Sequence, residues 1–428
     1  MIKRFFVDYL GCKVNSYEIN AIKEVLLSRG HIFDEINPEI IIINTCSVTS
    51  ISDKKSRNLI RFYRRKFPES IVIAMGCSTQ SSNPEVYKDA GANIIIGCNK
   101  KSEILSIFDE KQDKSSFLVD IQYKTSSFLY DEITRISTYD QVRAYVKIQD
   151  GCNNFCSYCL IPYIRGRARS RCKENILKEI NNLVNNGFKE IVLTGIDVAS
   201  YGLDLYENFN LSCLLEYILI NTPNLLSLRI SSIEESLIDD KFIGLLKKYE
   251  IIADHMHLSL QSGSDSVLKR MNRKYKTDEF IKKVEKIREA RPNISLTTDI
   301  IVGFPGETDE EFEETYAFAK KCEFSKIHVF PYSSRKGTAA SNMKNQVNPT
   351  VKKERAAKLR KLSTFLEKEY ISKFLGKEID FLIEQFDSKT GCYKGHSSNY
   401  LECNIKSDAL KVNELVKHIV NFDSVKIS

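Results

Sequence analysis

The sequence predicts an α/β protein in three parts: an N-terminal doubly wound parallel sheet, a partial (βα)6 barrel of the TIM type, and a small C-terminal β-barrel. Three observations predict it. Short Ile- and Val-rich runs alternate with amphipathic helical stretches at the start of the chain, which is the pattern of a parallel sheet covered on both faces. Six further strand-and-helix units follow, and the chain ends in short strands separated by Gly, Asn and Ser turns. At 428 residues the chain also exceeds the size at which one hydrophobic core stops growing, so several domains are expected.

In order, RFFVDYL reads as a strand, and SYEINAIKEVLLSRG as a helix that stops at Gly30. EIIIIN, a basic helix after Ser52 and Asp53, SIVIAMG, a second helical stretch and ANIIIG continue the alternation. Cys12, Cys46, Cys77 and Cys98 each follow directly on one of these strands. In an open parallel sheet the strand ends share one edge, where ligands bind, so four scattered cysteines become one neighbourhood. From about residue 110 to 141 the chain turns polar (KQDKSSF, YKTSSF) and suits a linker. RAYVKIQ, EIVLTGI, LLSLRIS, HMHLSLQ, SLTTDIIVGF and KIHVFPYS then supply barrel strands, with helices such as ENILKEINNLVNNG and DEEFEETYAFAKKC between them. A long charged helix from Pro349 leads to GKEIDFLIEQF, GCYKGHSSNYLECNI and HIVNFDSVKIS, the strands of the last unit. The expected domains are 1–135, 136–370 and 371–428.

Composition narrows the class. A hydrophobic content of 42% and a charged content of 28% are those of ordinary globular protein. Lys and Arg exceed Asp and Glu by 63 to 56, too small a surplus to argue for nucleic acid unless it is locally concentrated. The apolar start of MIKRFFVDYLGCKVN is too short for a signal peptide and nothing reaches bilayer length, so no membrane and a cytoplasmic location are expected. In that reducing compartment, twelve cysteines point to metal binding or catalysis rather than to disulfides.

Cys152, Cys156 and Cys159 stand in DGCNNFCSYCLIP with C-x3-C-x2-C spacing, just after the first barrel strand. Three thiolates on a tight loop can hold three irons of a 4Fe-4S cubane and leave the fourth open. The amino and carboxylate groups of S-adenosylmethionine can chelate an open iron, which brings its sulfonium within reach of an electron. A barrel interior closed by loops would shield the resulting radical from water, and Tyr158 would sit near the adenine. A zinc site is the competing reading, but zinc knuckles pair two C-x2-C units or add histidines, and no His lies nearby.

These residues, with the landmarks that follow, resemble the radical S-adenosylmethionine superfamily. Thr194, Gly195 and Ile196 occupy the place of the segment that binds the methionine amine. Ser231 in SLRISSIEE and Gln261 in LSLQSG look like strand ends that contact ribose and carboxylate, and TDIIVGFPGET resembles the adenine-side turn. Over nearly the whole chain, YLGCKVN, NTCSVT, GC at 76–77 and QDGCNNFCSYCLIPYIRGRARSR are similar to the methylthiotransferases, most of all to their MtaB branch. That resemblance implies methylthiolation of C2 of N6-threonylcarbamoyladenosine at position 37 of tRNA. It further implies two 4Fe-4S clusters, two S-adenosylmethionine molecules per turnover, an external electron donor, a sulfur donor and a C-terminal TRAM-like RNA-binding domain. Carried over by motif, Cys12, Cys46 and Cys77 would hold the second cluster and the sulfur to be transferred. The scheme asks for no side-chain general base, and the sequence offers no convincing candidate for one.

Alternatives stay open. The same chemistry acts on N6-isopentenyladenosine in tRNA or on an aspartate of a ribosomal protein, and a non-catalytic iron-sulfur RNA-binding protein would belong to another class. Cys12, Cys46 and Cys77 could be small buried apolar residues, as free cysteines often are. Cys98 is expected to be a packing neighbour rather than a fourth ligand, because four thiolates would close the open iron. Cys172, Cys213, Cys322, Cys392 and Cys403 read as structural. For RNA, Arg165, Arg167, Arg169 and Arg171 alternate just beyond the radical motif, and on an extended segment they could grip successive phosphates. The basic helix carrying Lys54, Lys55, Arg57, Arg61, Arg64, Arg65 and Lys66 is either a second RNA contact or a solvated face. Tyr393, His396 and Tyr400 suit base stacking and core packing equally.

Overall fold

A computed structural model describes residues 2–99, 101–109, 117–121, 130–133, 142–407 and 409–427. Most of the expected linker lies outside the described residues. The first sheet is parallel throughout, with strands β1 (Arg4–Tyr9), β2 (Ile32–Phe33), β3 (Ile40–Thr45), β4 (Ile71–Gly76), β5 (Ile94–Ile96) and β6 (Leu118–Asp120) in the order β2-β1-β3-β4-β5-β6. The two edge strands, β2 and β6, had no counterpart in the sequence reading, because two or three residues carry no periodicity. Within β3 the side chains alternate between two cores. Ile40 and Ile42 face α1 (Lys13–Ser28), whereas Ile41 and Ile43 face Ile60 and Tyr63 of α2 (Ser50–Lys66).

α1 also packs against the barrel. Its buried residues include Asn15, Ser16 and Glu18, and Tyr17 reaches Glu179 with a hydrogen bond of 3.1 Å. These polar positions weaken the apolar stripe of the helix because they meet polar partners rather than a greasy core.

The barrel follows in chain order. Its strands are β7 (Arg143–Lys147), then, after a short antiparallel pair β8 (Gln149–Asp150) and β9 (Arg169–Ser170), β10 (Glu190–Thr194), β11 (Ser227–Ile230), β12 (Ser232–Ile233), β13 (His255–Gln261), β14 (Ser295–Val302) and β15 (Lys326–Pro331). β7, β10 and β11 form one parallel sheet, and β12 to β15 another. β11 and β12 are one run interrupted at Ser231, and Leu228 bridges to Ile252 ahead of β13, so six parallel strands curve without a break. The helix Pro349–Ser372 starts with Asn348 accepting from Thr350 N at 2.8 Å and closes over β15, where Ser363 Oγ accepts from Ile327 N at 2.9 Å.

The last unit is an antiparallel sheet of β16 (Glu378–Asp387), β17 (Cys392–Ser397), β18 (Glu402–Ile405) and β19 (Leu415–Ile419), ordered β18-β17-β16-β19. The chain beyond β19 returns to the far edge through a bridge between Cys403 and Val425, wrapping a small core of Phe381, Ile383 and Val420. This unit docks on the strand starts of the barrel. His396 Nε2 meets Glu190 Oε1 at 3.2 Å, Arg229 holds the same carboxylate at 2.9 and 3.0 Å, and Arg143 donates to the Tyr400 hydroxyl at 2.9 Å. His396 and Tyr400 therefore take part in the contact between this sheet and the barrel.

Candidate iron-sulfur and nucleoside site

Cys12, Cys46 and Cys77 follow β1, β3 and β4, and two of them need a glycine in front. Gly11 has φ +121° and Gly76 φ +111°, conformations that side-chain-bearing residues rarely adopt. A Cβ on Gly11 would lie 2.9 Å from Cys46 Cβ, and one on Gly76 would lie 2.6 Å from the Thr45 carbonyl oxygen. The strand ends are thus crowded together, and Asn15 ties two of them by donating to Leu10 O at 2.8 Å and Thr45 O at 3.1 Å. Cys46 and Cys77 are buried, whereas Cys12 is exposed. Burial pushes the Cys46 thiol up to about 11. The neighbouring Cys98 thiol, and then the Arg165 guanidinium, outweigh burial at Cys77 and bring it down to about 6.

The radical loop is pinned by backbone bonds. Cys159 N donates to Cys156 O at 2.9 Å, Cys152 N to Gly166 O at 3.1 Å, and Ser157 bonds Met271 O and Arg270 O at 3.0 and 2.8 Å. A ring of polar side chains surrounds the thiols. Cys152 Sγ lies 3.6 Å from Asp197, Cys156 Sγ 3.4 Å from Arg273, and Asn154 and Arg273 both hold Glu234. Burial, with Glu234 close by, pushes the Asp197 carboxyl up to about 6.

Thr194 ends β10 and Gly195 follows it, and just beyond them Gln149 Oε1 accepts from Ile196 N and Asp197 N at 3.1 and 2.8 Å. Ser231 interrupts the third strand, and Gln261 ends β13 at φ +68°. Tyr158 packs beside Phe304 and Tyr332, on the side of the GFPGE turn.

The structure turns most of the arginine run away from any phosphate. The alternation does aim three of its side chains one way, but that way is inward. Arg165 is fully buried, donating to Cys77 Sγ at 3.1 Å, Asn15 at 3.0 Å, Glu18 at 3.0 Å and Asp150 at 3.0 Å. Arg169 holds Asn99 at 2.9 Å, and Arg171 joins Glu132, Glu179 and Tyr17. Only Arg167 of the four is exposed, over the Phe155 ring at 4.4 Å. Pairing explains the burial: Glu18 and Asp150 offset charges that no apolar surroundings would accept alone. In α2, Arg64 is likewise structural, bonded to Gly91 O, Pro68 O and Ser70 O at 2.9 Å each.

Sequence reasoning missed Asn15, Glu18, Asp150, Asp197, Glu234 and Arg273. Asn15 and Glu18 carried a usable signal, since polar residues on the core face of a helix need a partner.

Cys98 lies beside Cys77, its Sγ 3.1 Å from Ile164 O, and both pack on Leu160 and Ile164. The helix that leaves the radical loop therefore abuts the second triplet, so the two cysteine sets are adjacent. Three thiols in each suit iron-sulfur ligation. Among the described residues no three His, Cys, Asp or Glu side chains converge as ligands of one metal ion. The outer thiolates of a cubane bind three separate irons and need not converge.

Comparison with known proteins settles the family. Residues 146–319 match the Radical SAM superfamily, and residues 4–97 match the Uncharacterized protein family UPF0004. A threonylcarbamoyladenosine tRNA methylthiotransferase MtaB of Bacillus subtilis is 39% identical over 95% of this chain and 91% of its own length. The chain belongs to the MtaB branch of the radical S-adenosylmethionine methylthiotransferases. Membership brings a 4Fe-4S cluster and S-adenosylmethionine. A Thermotoga maritima MtaB is 36% identical over 94% of this chain and 91% of its own. A tRNA-2-methylthio-N(6)-dimethylallyladenosine synthase of Acetivibrio thermocellus is 33% identical over 98% and 88%. The radical S-adenosylmethionine methyltransferase TsrM of Kitasatospora setae shares the fold, with a TM-score of 0.59 at 14% identity over 80% of this chain and 77% of that one. No helix among the described residues is long and apolar enough to cross a membrane.

Proposed function

We propose that this enzyme converts N6-threonylcarbamoyladenosine at position 37 of tRNA to its 2-methylthio derivative. The observation that carries the reading is the adjacency of two cysteine triplets in a chain that matches MtaB proteins almost end to end. Cys152, Cys156 and Cys159 would hold the radical cluster, and Cys12, Cys46 and Cys77 an auxiliary cluster. Bound there, the clusters and two molecules of S-adenosylmethionine would supply reductive cleavage on one side and a methylated sulfur on the other.

The chain's own part is to hold and shield. Ser157, donating to Met271 O and Arg270 O, fixes the radical loop; Thr194, Gly195, Ser231 and Gln261 would offer strand-end groups to S-adenosylmethionine, and Tyr158 would flank its adenine. Arg165 and Asn15 set the place of Cys77 relative to that loop. Domains over 1–135, 136–370 and 371–428 would carry the auxiliary cluster, the radical chemistry and RNA binding. An external electron donor, a sulfur donor and a cytoplasmic location complete the reading. Nucleoside mass spectrometry of tRNA from a deletion strain tests it: 2-methylthio-N6-threonylcarbamoyladenosine should vanish and return on complementation. Unchanged levels refute the substrate.

A further inference from the structure

The barrel holds a compartment that the cysteine sites do not use. A cavity of about 330 Å³ runs from Lys13, next to Cys12, to Tyr400 and the helix bearing Glu367. Its volume lies within the range of ligand pockets, roughly 300–1,000 Å³, and is ample for the N6 substituent of a nucleoside. Its wall carries His255 and His257 from β13, Thr297 from β14 and His328 from β15, so three of the chain's six histidines meet in one place.

The polar groups there are arranged but not all paired. Thr297 Oγ1 lies 3.1 Å from His255 Nε2 and 3.0 Å from His257 Nδ1, and the His255 ring stacks on Tyr400 at 4.6 Å. That leaves His255 Nδ1 buried, with no partner among the described residues. Burial, and then Arg229, keep this imidazole neutral, able to donate or accept by tautomer. Lys326 and Lys426 each have a carboxylate, Glu367 at 3.9 Å and Glu402 at 3.1 Å. His257 has Asp299 at 3.3 Å. Lys13 has no ion-pair or hydrogen-bond partner among the described residues. An unpaired ammonium and an orphan buried ring nitrogen are costly to keep, which marks them as ligand positions.

Adenosine chemistry says which part of a substrate would arrive there. Ribose is attached at N9 of the five-membered ring, while C2 and the N6-bearing carbon lie on the six-membered ring at the far end. With C2 placed at the cysteine sites, the N6 substituent on the same ring would lie on the side of Lys13, which follows Cys12 and lines this cavity. We propose that this chamber receives the threonylcarbamoyl substituent, with Lys13 pairing its carboxylate and His255 and Thr297 binding its ureido and hydroxyl groups. The proposal rests on the substrate reading above and deepens it. A dimethylallyl substituent has no polar atom, and would leave the same groups desolvated and unpaired, the strongest form of discrimination a polar site offers.

The experiment uses full-length, anaerobically reconstituted protein and synthetic anticodon stem-loops carrying threonylcarbamoyladenosine, dimethylallyladenosine or plain adenosine at position 37. Fluorescence anisotropy gives the three affinities, and nucleoside analysis gives turnover. Wild type should bind the threonylcarbamoyl loop best. Lys13→Met and His255→Phe should each weaken that loop about tenfold or more, with the plain loop within about twofold. Iron content is measured on the same samples. If Lys13→Met loses iron, His255→Phe and Thr297→Val, which touch no cysteine, decide the matter. Variants that fold and keep the wild-type preference overturn the chamber while leaving the substrate reading intact. A wild type that modifies a different adenosine overturns both.

Discussion

Cys152, Cys156 and Cys159 sit on one loop, whereas Cys12, Cys46 and Cys77 come from the ends of three strands, and the two sets are held in place by different forces. Ser157 pins the radical loop from outside by donating its N–H to Met271 O and its hydroxyl to Arg270 O, and the thiols of the loop face a polar ring that is partly open. The other triplet depends on sheet register, on Gly11 and Gly76, and on a buried network in which Arg165, Lys101, Lys147 and Arg169 surround Glu18 and Asp150. That network counts four cations against two carboxylates, so it faces Cys77 with a surplus of positive charge that favours thiolate. A local site is written in spacing; a dispersed one has to be paid for by the architecture around it.

The largest expected effect separates the two triplets outright. Cys156→Ala should remove the iron of one cluster and abolish release of 5'-deoxyadenosine from S-adenosylmethionine. Cys46→Ala should also cost one cluster's iron yet leave that release intact while methylthiolation stops. Iron analysis with chromatography of the nucleoside products checks both, and loss of cleavage in Cys46→Ala would collapse the division of labour. Next comes Arg165→Leu. Removing one member of a buried ion-pair network costs about 3–5 kcal/mol, so the urea midpoint of the apo-protein should fall well below that of wild type. Arg167→Ala, two residues on and exposed, should change stability by less than about 0.5 kcal/mol. Equal effects would mean the buried network does not hold the domains together.

How legible each region was follows from the same contrast. C-x3-C-x2-C is a spacing and needed no fold, and the long strands announced themselves through Ile and Val runs such as EIIIIN. Cys12, Cys46 and Cys77 became a set only once strand ends were placed on a shared edge. The arginines misled because alternation fixes which side chains share a face and says nothing about which face is buried; that was decided by Glu18 and Asp150, far away in sequence. Lys13, His255, His257 and His328 lie on elements of two domains, and no local pattern joins them. Between these extremes stands Cys98, whose strand-end position was visible and whose role was not. Cys98→Ala should keep the iron of both clusters, because Cys98 Sγ is engaged with Ile164 O and Cys77. Loss of a whole cluster would make it a ligand.

The smallest effect concerns acid. Arg270, whose carbonyl anchors Ser157, is itself held by Glu311 at 2.6 and 2.9 Å, and these bonds bring the Glu311 carboxyl down to about 2. A carboxylate lowered in the folded state stabilises the fold above its unfolded value and loses that contribution as pH falls from 4.5 towards 2. At Glu18, burial opposes the charge, but Arg165, Lys101 and Lys147 outweigh it and hold this carboxylate further down still. Acid should therefore loosen the radical loop before it reaches the network beside Cys77. The apo-protein is the right sample, since iron-sulfur clusters decompose in acid. Dithiodipyridine reacts with thiols at low pH, and mass spectrometry after a short pulse reads each cysteine separately. Cys156 should gain reactivity over pH 4.5 to 2 ahead of Cys77, and Arg270→Gln should make Cys156 reactive already at neutral pH. The reverse order would show that the buried network, for all its ion pairs, is the weaker of the two anchorages.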